Sequence, residues 1–290
     1  MGDTMILVCG ASGLTGGLLV RELRALGAPV RALVHDPKKA RPLEELGVEI
    51  AVGDLARPDT LTTALHGVER VYLVSAIHPN QAKLQGNLIQ AAQRAGVKHL
   101  VRLSCWNAVP DSQIELPRLH WQTDQQLEKS GLPYTILQPS YFMQNLLAFA
   151  PGIARNCTLY APLKLGQVGM IDVRDVVAVA ARLLLEPLGH TGKTYQLTGP
   201  AALTFMQVAK VLSQVTGRTV TYINIPAKDL SSLLFGQGMD PWQVEQTIDS
   251  YESLSQDYCR LVTPTVADLL GRPPRCFEQF VRKYARIFTG

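Results

Sequence analysis

The chain has 290 residues, 47% hydrophobic and 18% charged, which excludes disordered, collagen-like and disulfide-scaffold classes. The formal net charge of +4 comes without a run of five or more Lys or Arg, so no nucleic-acid partner is expected. The cysteines Cys9, Cys105, Cys157, Cys259 and Cys276 lie far apart without metal-ligand spacing; free thiols, no metal and a cytoplasmic location are expected. No apolar stretch is long enough for a membrane span.

In chain order, 5–9 is a continuous apolar run, followed by a glycine turn and an apolar-periodic stretch over 14–26. Strand-like runs recur at 29–34, 48–52, 70–74, 97–104 and 134–137, with helical patterns between them, among them 81–95 and 116–129. Buried strands separated by helices define βαβ units and a parallel sheet covered on both faces. The expected class is α/β: a Rossmann doubly wound sheet of about seven strands in the order 3-2-1-4-5-6-7. After Pro139 the pattern changes. Helices are predicted over 172–186, over 204–215 behind a Thr204/Gln207 capping box, after Asp240-Pro241 and near Thr265, with one strand at 194–197. The expected division is a dinucleotide-binding domain over 1–150, to which 166–198 returns. A smaller, α-rich substrate lobe fills most of 151–290, over the carboxyl edge of the sheet.

The segment Gly10-Ala11-Ser12-Gly13-Leu14-Thr15-Gly16 stands between the first strand and the first helix. Gly10 permits a tight turn, Gly13 lets backbone approach a pyrophosphate, and Gly16 lets helix and strand pack closely. The amides of the helix start, at Ser12, Leu14, Thr15 and Gly16, then face phosphate together with the positive end of the helix dipole. Second-strand residues set the choice of dinucleotide. His35 occupies the position where a carboxylate would repel a 2′-phosphate, and Arg31, Lys38 and Lys39 add positive charge nearby. NADP is therefore favoured, with NAD possible because Asp36 is adjacent. Asp54 and Leu55 follow the third strand, at the expected adenine edge; Asp54 either accepts from adenine or caps the helix after Pro58. Ser75 and Ala76 follow the fourth strand, where they pass beneath the middle of a bound cofactor.

Taken together, these segments resemble the NmrA-like family of atypical short-chain dehydrogenases/reductases. The matching residues are the glycine turn, 30–35, Gly53-Asp54-Leu55, 96–104, 131–139, Phe142-Met143-Gln144-Asn145, 171–175 and 197–200. The resemblance implies the Rossmann fold and dinucleotide binding but no single reaction, since the family holds reductases, nicotinamide-sensing regulators and tailoring enzymes. The Tyr-x-x-x-Lys pair common in short-chain dehydrogenases is spelled only by Tyr160 and Lys164, where Pro162 forbids a helix. By resemblance, the catalytic helix instead carries His120 and Asp124, one turn apart on a shared face.

An imidazole of ordinary pKa suits His120 to proton donation, with Asp124 orienting or stabilising it; the alternative is a solvated helix pair. Ser104, at the end of the fifth strand, either binds substrate or nicotinamide or satisfies local backbone. Trp106, Tyr141 and Phe142 offer walls for a flat acceptor or else fill core, and Asn145 fixes a substrate oxygen or caps a turn. The leading expectation is an NAD(P)H-dependent oxidoreductase acting on a small aromatic, quinone-like or enone acceptor, as a monomer or homodimer. The alternatives are a non-catalytic redox sensor and a tailoring enzyme of aromatic secondary metabolism.

Overall fold

A computed structural model describes residues 4–290. The strands are β1 (Met5–Val8), β2 (Val30–Val34), β3 (Glu49–Val52), β4 (Val68–Leu73), β5 (His99–Leu103), β6 (Tyr134–Pro139), β7 (Thr158–Ala161), β8 (Lys193–Leu197) and β9 (Thr221–Asn224). The helices are α1 (Leu14–Ala25), α2 (Arg41–Glu44), α3 (Pro58–Ala64), α4 (Gln81–Arg94), α5 (Glu115–Lys129), α6 (Ala150–Asn156) and α7 (Val173–Leu185). They continue with α8 (Phe205–Thr216), α9 (Ala227–Gly236), α10 (Pro241–Leu254), α11 (Thr265–Leu270) and α12 (Phe277–Thr289).

The seven-stranded sheet has the order β3-β2-β1-β4-β5-β6-β8. The expected topology holds, but the last position is taken by the eighth strand of the chain. The extra strand, β7, pairs in parallel with β9 in a separate two-stranded sheet. Register between β1 and β4 (Leu7 with Val71, Val8 with Tyr72) and between β4 and β5 (Tyr72 with Val101) is parallel. The carboxyl ends of the central strands therefore lie along one edge, where a doubly wound fold presents ligand-binding loops.

The chain divides into two compact units, one running to Gln138 and resuming over Val176–Tyr195, the other comprising Pro139–Asp175 and Gln196–Gly290. The boundary thus falls earlier than position 150, at the end of β6, and the returning segment is shorter than 166–198. In the first unit, Leu7, Leu33, Val71, Leu73, Leu100 and Ile136 from the sheet pack against Leu61 of α3, Leu88 and Ile89 of α4 and Leu127 of α5, all buried. Arg70 donates to the carbonyls of Leu184 and Leu185, satisfying the end of α7. In the second unit, the capping box at Thr204 and Gln207 starts α8 as expected. Asp240 accepts from the amides of Trp242 and Gln243 to start α10. Asp172 caps α7 by accepting from the Arg174 amide, whereas buried Asp175 pairs with Arg272 and Arg275.

One buried group gives the first unit an acid-labile point. His99 is 1% exposed, and its Nε2 lies 3.0 Å from Thr135 Oγ1, which itself donates to the His190 carbonyl. Burial, then Arg70 and His190, lower the His99 pKa from 6.5 to about 4. The unfolded chain takes up a proton that the folded chain refuses, so this contribution is complete above about pH 6.5 and is lost as pH falls towards about 4. At about 1.4 kcal/mol per pKa unit, roughly 3 kcal/mol is at stake. His99→Gln should flatten the stability–pH curve across that window by a comparable amount, measured by denaturant unfolding at stepped pH. An unchanged slope would contradict the assignment.

Candidate active site

The turn after β1 is built around two glycines whose lack of a side chain is required by their neighbours. Gly10 has φ +69°, and a Cβ there would lie 2.7 Å from Val74 Cγ1 and 2.9 Å from the Val74 carbonyl oxygen. A Cβ on Gly16 would stand 2.2 Å from the Gly10 carbonyl oxygen, so α1 reaches the turn only with glycine at that position. Gly13 is the exposed N-cap, and the first intrahelical bond runs from the Gly17 amide to the Gly13 carbonyl. The Leu14, Thr15 and Gly16 amides precede that bond, and no acidic residue occupies the first turn of α1. This is a cradle for an anion. Cys9, beneath it, is buried, which pushes its thiol up to about 12 and removes it as a nucleophile.

At the end of β2, His35 is exposed and its Nδ1 lies 3.8 Å from Asp54 Oδ2. Asp36 accepts from the Lys38 amide and so serves its own turn, leaving Lys38 and Lys39 exposed beside it. Arg31 does not join this group, which corrects the expectation. It lies at the opposite end of β2, where its guanidinium donates to both Glu49 carboxylate oxygens and to the carbonyls of Ala64 and His66. Asp54 accepts from the Ala56 amide while its own amide donates to Thr60 Oγ1; Arg57 is the N-cap of α3 and no side chain caps it, so the capping alternative does not hold. The Leu55 side chain packs against the core, and its carbonyl accepts from Asn87.

From Ser75, next to the Val74 that packs against the glycine turn, a chain of hydrogen bonds leads to the candidate catalytic helix. Val74, against Gly10, is followed by Ser75, which donates to the carbonyl of exposed Ala76 and accepts from Gln85 Nε2 at 2.9 Å. Gln85 Oε1 in turn accepts from Arg102 Nε at 3.0 Å. Arg102 is fully buried on β5; it also donates to Asp124 Oδ1 and reaches His120 Nδ1 at 3.2 Å. Ser104 donates to Asp124 Oδ2 at 2.7 Å, and Gln138 bonds the same carboxylate. Burial pushes the Asp124 carboxyl up, opposed by the guanidinium and by the bonds from Ser104 and Gln138.

Four expectations change here. Asp124 does not orient His120 directly, because Arg102 stands between them. Nor is the pair solvated: Asp124 is buried and His120 half-buried. Burial, then the guanidinium beside it, holds the imidazole well below 6.5, so it is neutral near pH 7 and no ready source of a proton. The Ser104 hydroxyl donates to Asp124, which leaves it only acceptor capacity towards a ligand.

Arg102, Gln85 and Gln138 were not singled out from sequence. A usable signal existed in one case, since an arginine inside the apolar run 97–104 must find a buried partner. Trp106, just beyond Ser104, is buried. In the second unit, the Tyr141 hydroxyl lies 2.8 Å from that of Tyr251 and also bonds Asn145; burial pushes Tyr141 up to about 12. Phe142 is half-buried, bridging to Ile171, and the remainder of Asn145 is exposed. Tyr160 is exposed on β7 and Lys164 has φ +48°, so the two are not on a helix.

A seven-stranded, doubly wound parallel sheet with a glycine cradle after its first strand defines the class of Rossmann-type α/β proteins. The chain belongs to the NmrA-like family, whose profile matches residues 2–268. It is 40% identical over 284 residues to an NAD(P)H azoreductase of Xenophilus azovorans, covering 98% of this chain and 99% of that one. The crystal structure of the NADPH-dependent quinone oxidoreductase 2 of Escherichia coli with NADPH superimposes with a TM-score of 0.88 at 30% identity, covering 97% of this chain and all of that one. The triphenylmethane reductase of Citrobacter sp. with NADP(H) gives a TM-score of 0.86 at 26% identity, with 97% and 99% covered. No helix among the described residues is long and apolar enough to cross a membrane.

Proposed function

We propose that this protein is an NADPH-dependent oxidoreductase that reduces small aromatic acceptors of quinone or azo type. The observation that carries the proposal is the continuous linkage, within one unit, from the glycine cradle through Val74, Ser75, Gln85 and Arg102 to His120. The cradle fits a pyrophosphate: its tight turn exists because side chains are missing at Gly10 and Gly16, where a Cβ would strike Val74 or backbone, and the exposed Gly13 leaves its outer side open. The amides around Ser12, Leu14, Thr15 and Gly16 would hold that group. His35 and Lys39 would face a 2′-phosphate, Asp54 and Leu55 the adenine edge, and Ser75 and Ala76 the middle of the molecule. When bound, the reduced nicotinamide supplies a hydride, and with it the redox chemistry. The chain's own contribution is orientation and electrostatics: His120 faces the heteroatom on which negative charge develops, while buried Trp106 fills core behind Ser104. The sequence relatives and structural neighbours named above support this reading, being reductases of such compounds by name.

The test is a titration of the purified protein with NADPH and NADH, followed by turnover against quinones, azo dyes and enones. NADPH should bind about tenfold or more tightly than NADH, one charge-assisted contact being worth at least that factor, and NADPH should be consumed with the quinones or azo dyes. Equal or tighter NADH binding would overturn the assignment of His35 and Lys39. Tight NADPH binding with no acceptor reduced would favour a redox sensor instead.

A further inference from the structure

Three partner atoms around Arg102 bear on a question that a histidine ring normally leaves open. The guanidinium carries donors only. Its Nε is taken by Gln85 Oε1 at 3.0 Å, its Nη1 by Asp124, and its Nη2 approaches His120 Nδ1 at 3.2 Å. A nitrogen facing a donor-only group has to accept, so Nδ1 carries a lone pair and the ring proton resides on Nε2. Gln85 and Asp124 hold Arg102 from two sides in a fully buried position, so the guanidinium cannot rotate away to release the ring. Asp124 is itself fixed by Ser104 at 2.7 Å and by Gln138.

We infer that Arg102 is a positioning residue that locks His120 as the neutral Nε2–H tautomer, making it a hydrogen-bond donor rather than a proton donor. The groups that face the ring or its partner are accounted for element by element. β5 and the segment after it bring Arg102 and Cys105, α5 brings Asp124, α4 the uncharged Gln85 and β6 the uncharged Gln138. The guanidinium is the cation in direct reach of Nδ1, and it opposes any second proton on the ring. A neutral imidazole used as an electrophile is an established catalytic device.

The tautomer assignment concerns the protein alone; only its catalytic consequence rests on the reductase reading. In that reading, a conjugated acceptor that had taken up hydride from a bound nicotinamide would carry the displaced electron pair on its oxygen or nitrogen. Nε2–H then hydrogen-bonds the anion without leaving the ring, and water delivers the proton. Acceptors that give delocalised anions are served by such a donor, whereas a simple ketone, whose alkoxide needs a proton at once, is not.

The experiment is long-range 1H–15N correlation spectroscopy on the full-length, cofactor-free protein labelled in histidine, with His120→Gln assigning the resonance. From about pH 5.5 to 8, the range in which free histidine titrates, His120 should show an unprotonated Nδ1, a protonated Nε2 and no titration. In the Arg102→Met/Asp124→Asn double variant, which removes both charges together, the ring should titrate within this range or populate both tautomers. The kcat–pH profile should correspondingly be flat for the wild type in this range and gain an inflection in the double variant. A doubly protonated His120 near pH 7 in the wild type would overturn the inference, as would an unchanged ring in the double variant. The spectra need no substrate, so a protein that reduces none of the acceptors would refute the reductase reading while leaving the tautomer assignment to be judged by itself.

Discussion

Gly16→Ala should abolish NADPH binding and destabilise the protein at once, whereas Gly13→Ala should weaken binding and leave the fold nearly intact. The two positions are three residues apart on the same turn, and the difference lies in what a methyl group would meet. At Gly16 it would stand 2.2 Å from the Gly10 carbonyl oxygen and 2.6 Å from its carbonyl carbon, backbone atoms that cannot rotate aside. The first turn of α1 must then lift from the end of β1, misaligning the amides that form the cradle. Overpacking of this kind costs about 1–3 kcal/mol, and the displaced dipole and donors remove most of the affinity for phosphate. At Gly13 the methyl group would meet only the Gly10 oxygen at 3.2 Å, with φ −90°, a conformation open to any residue. That side faces solvent, where the phosphate would lie. Thermal unfolding separates the fold effects and a fluorescence titration with NADPH the binding effects. A Gly16→Ala protein with wild-type affinity would refute the packing argument, and a Gly13→Ala protein with wild-type affinity would move the phosphate elsewhere.

Glycine positions of this kind are legible in sequence because the constraint is local: a strand, a turn and a helix start within a dozen residues. The same holds for the central strands, which read as continuous apolar runs because both faces are covered. It holds too for the helix starts at Thr204 and Asp240, whose capping groups are neighbours in the chain. What escaped reading depended on distance along the chain. β7 and β9 are four residues each and pair across some 60 positions; β7 alternates over too short a run to stand out, and β9 is largely exposed. Arg31 looked like a cation available to a ligand, but its partner Glu49 comes from the next strand, through a register that no local pattern records. His120 and Asp124 stand at helical spacing, which by itself places them on one face and says nothing of what lies between them. The group that governs both is Arg102, 18 and 22 residues away on a central strand. Burying an arginine in β5 makes sense only once its three acceptors are known.

That arrangement sets the second large effect, which distinguishes a buried pair from its separate members. Arg102→Met alone should cost about 3–5 kcal/mol, because it strands the Asp124 carboxylate in a buried site without its cation. Asp124→Asn alone leaves a buried guanidinium with Gln85, the ring and the amide oxygen as acceptors, and should cost somewhat less. The double variant should lie well above the sum of the two losses, since neither charge remains and Met fills much of the volume of the arginine stem. A double-mutant cycle by urea unfolding at neutral pH measures this coupling directly; for residues in contact, coupling energies run to about 0.5–3 kcal/mol. Simple additivity would mean that the two groups do not act as a pair and would weaken the case that Arg102 is held in place by Asp124. Near-complete recovery in the double variant would show that the charges are not needed for the fold. The buried pair would then be there for what it does to His120, a demand placed by the site and not by the stability of the sheet.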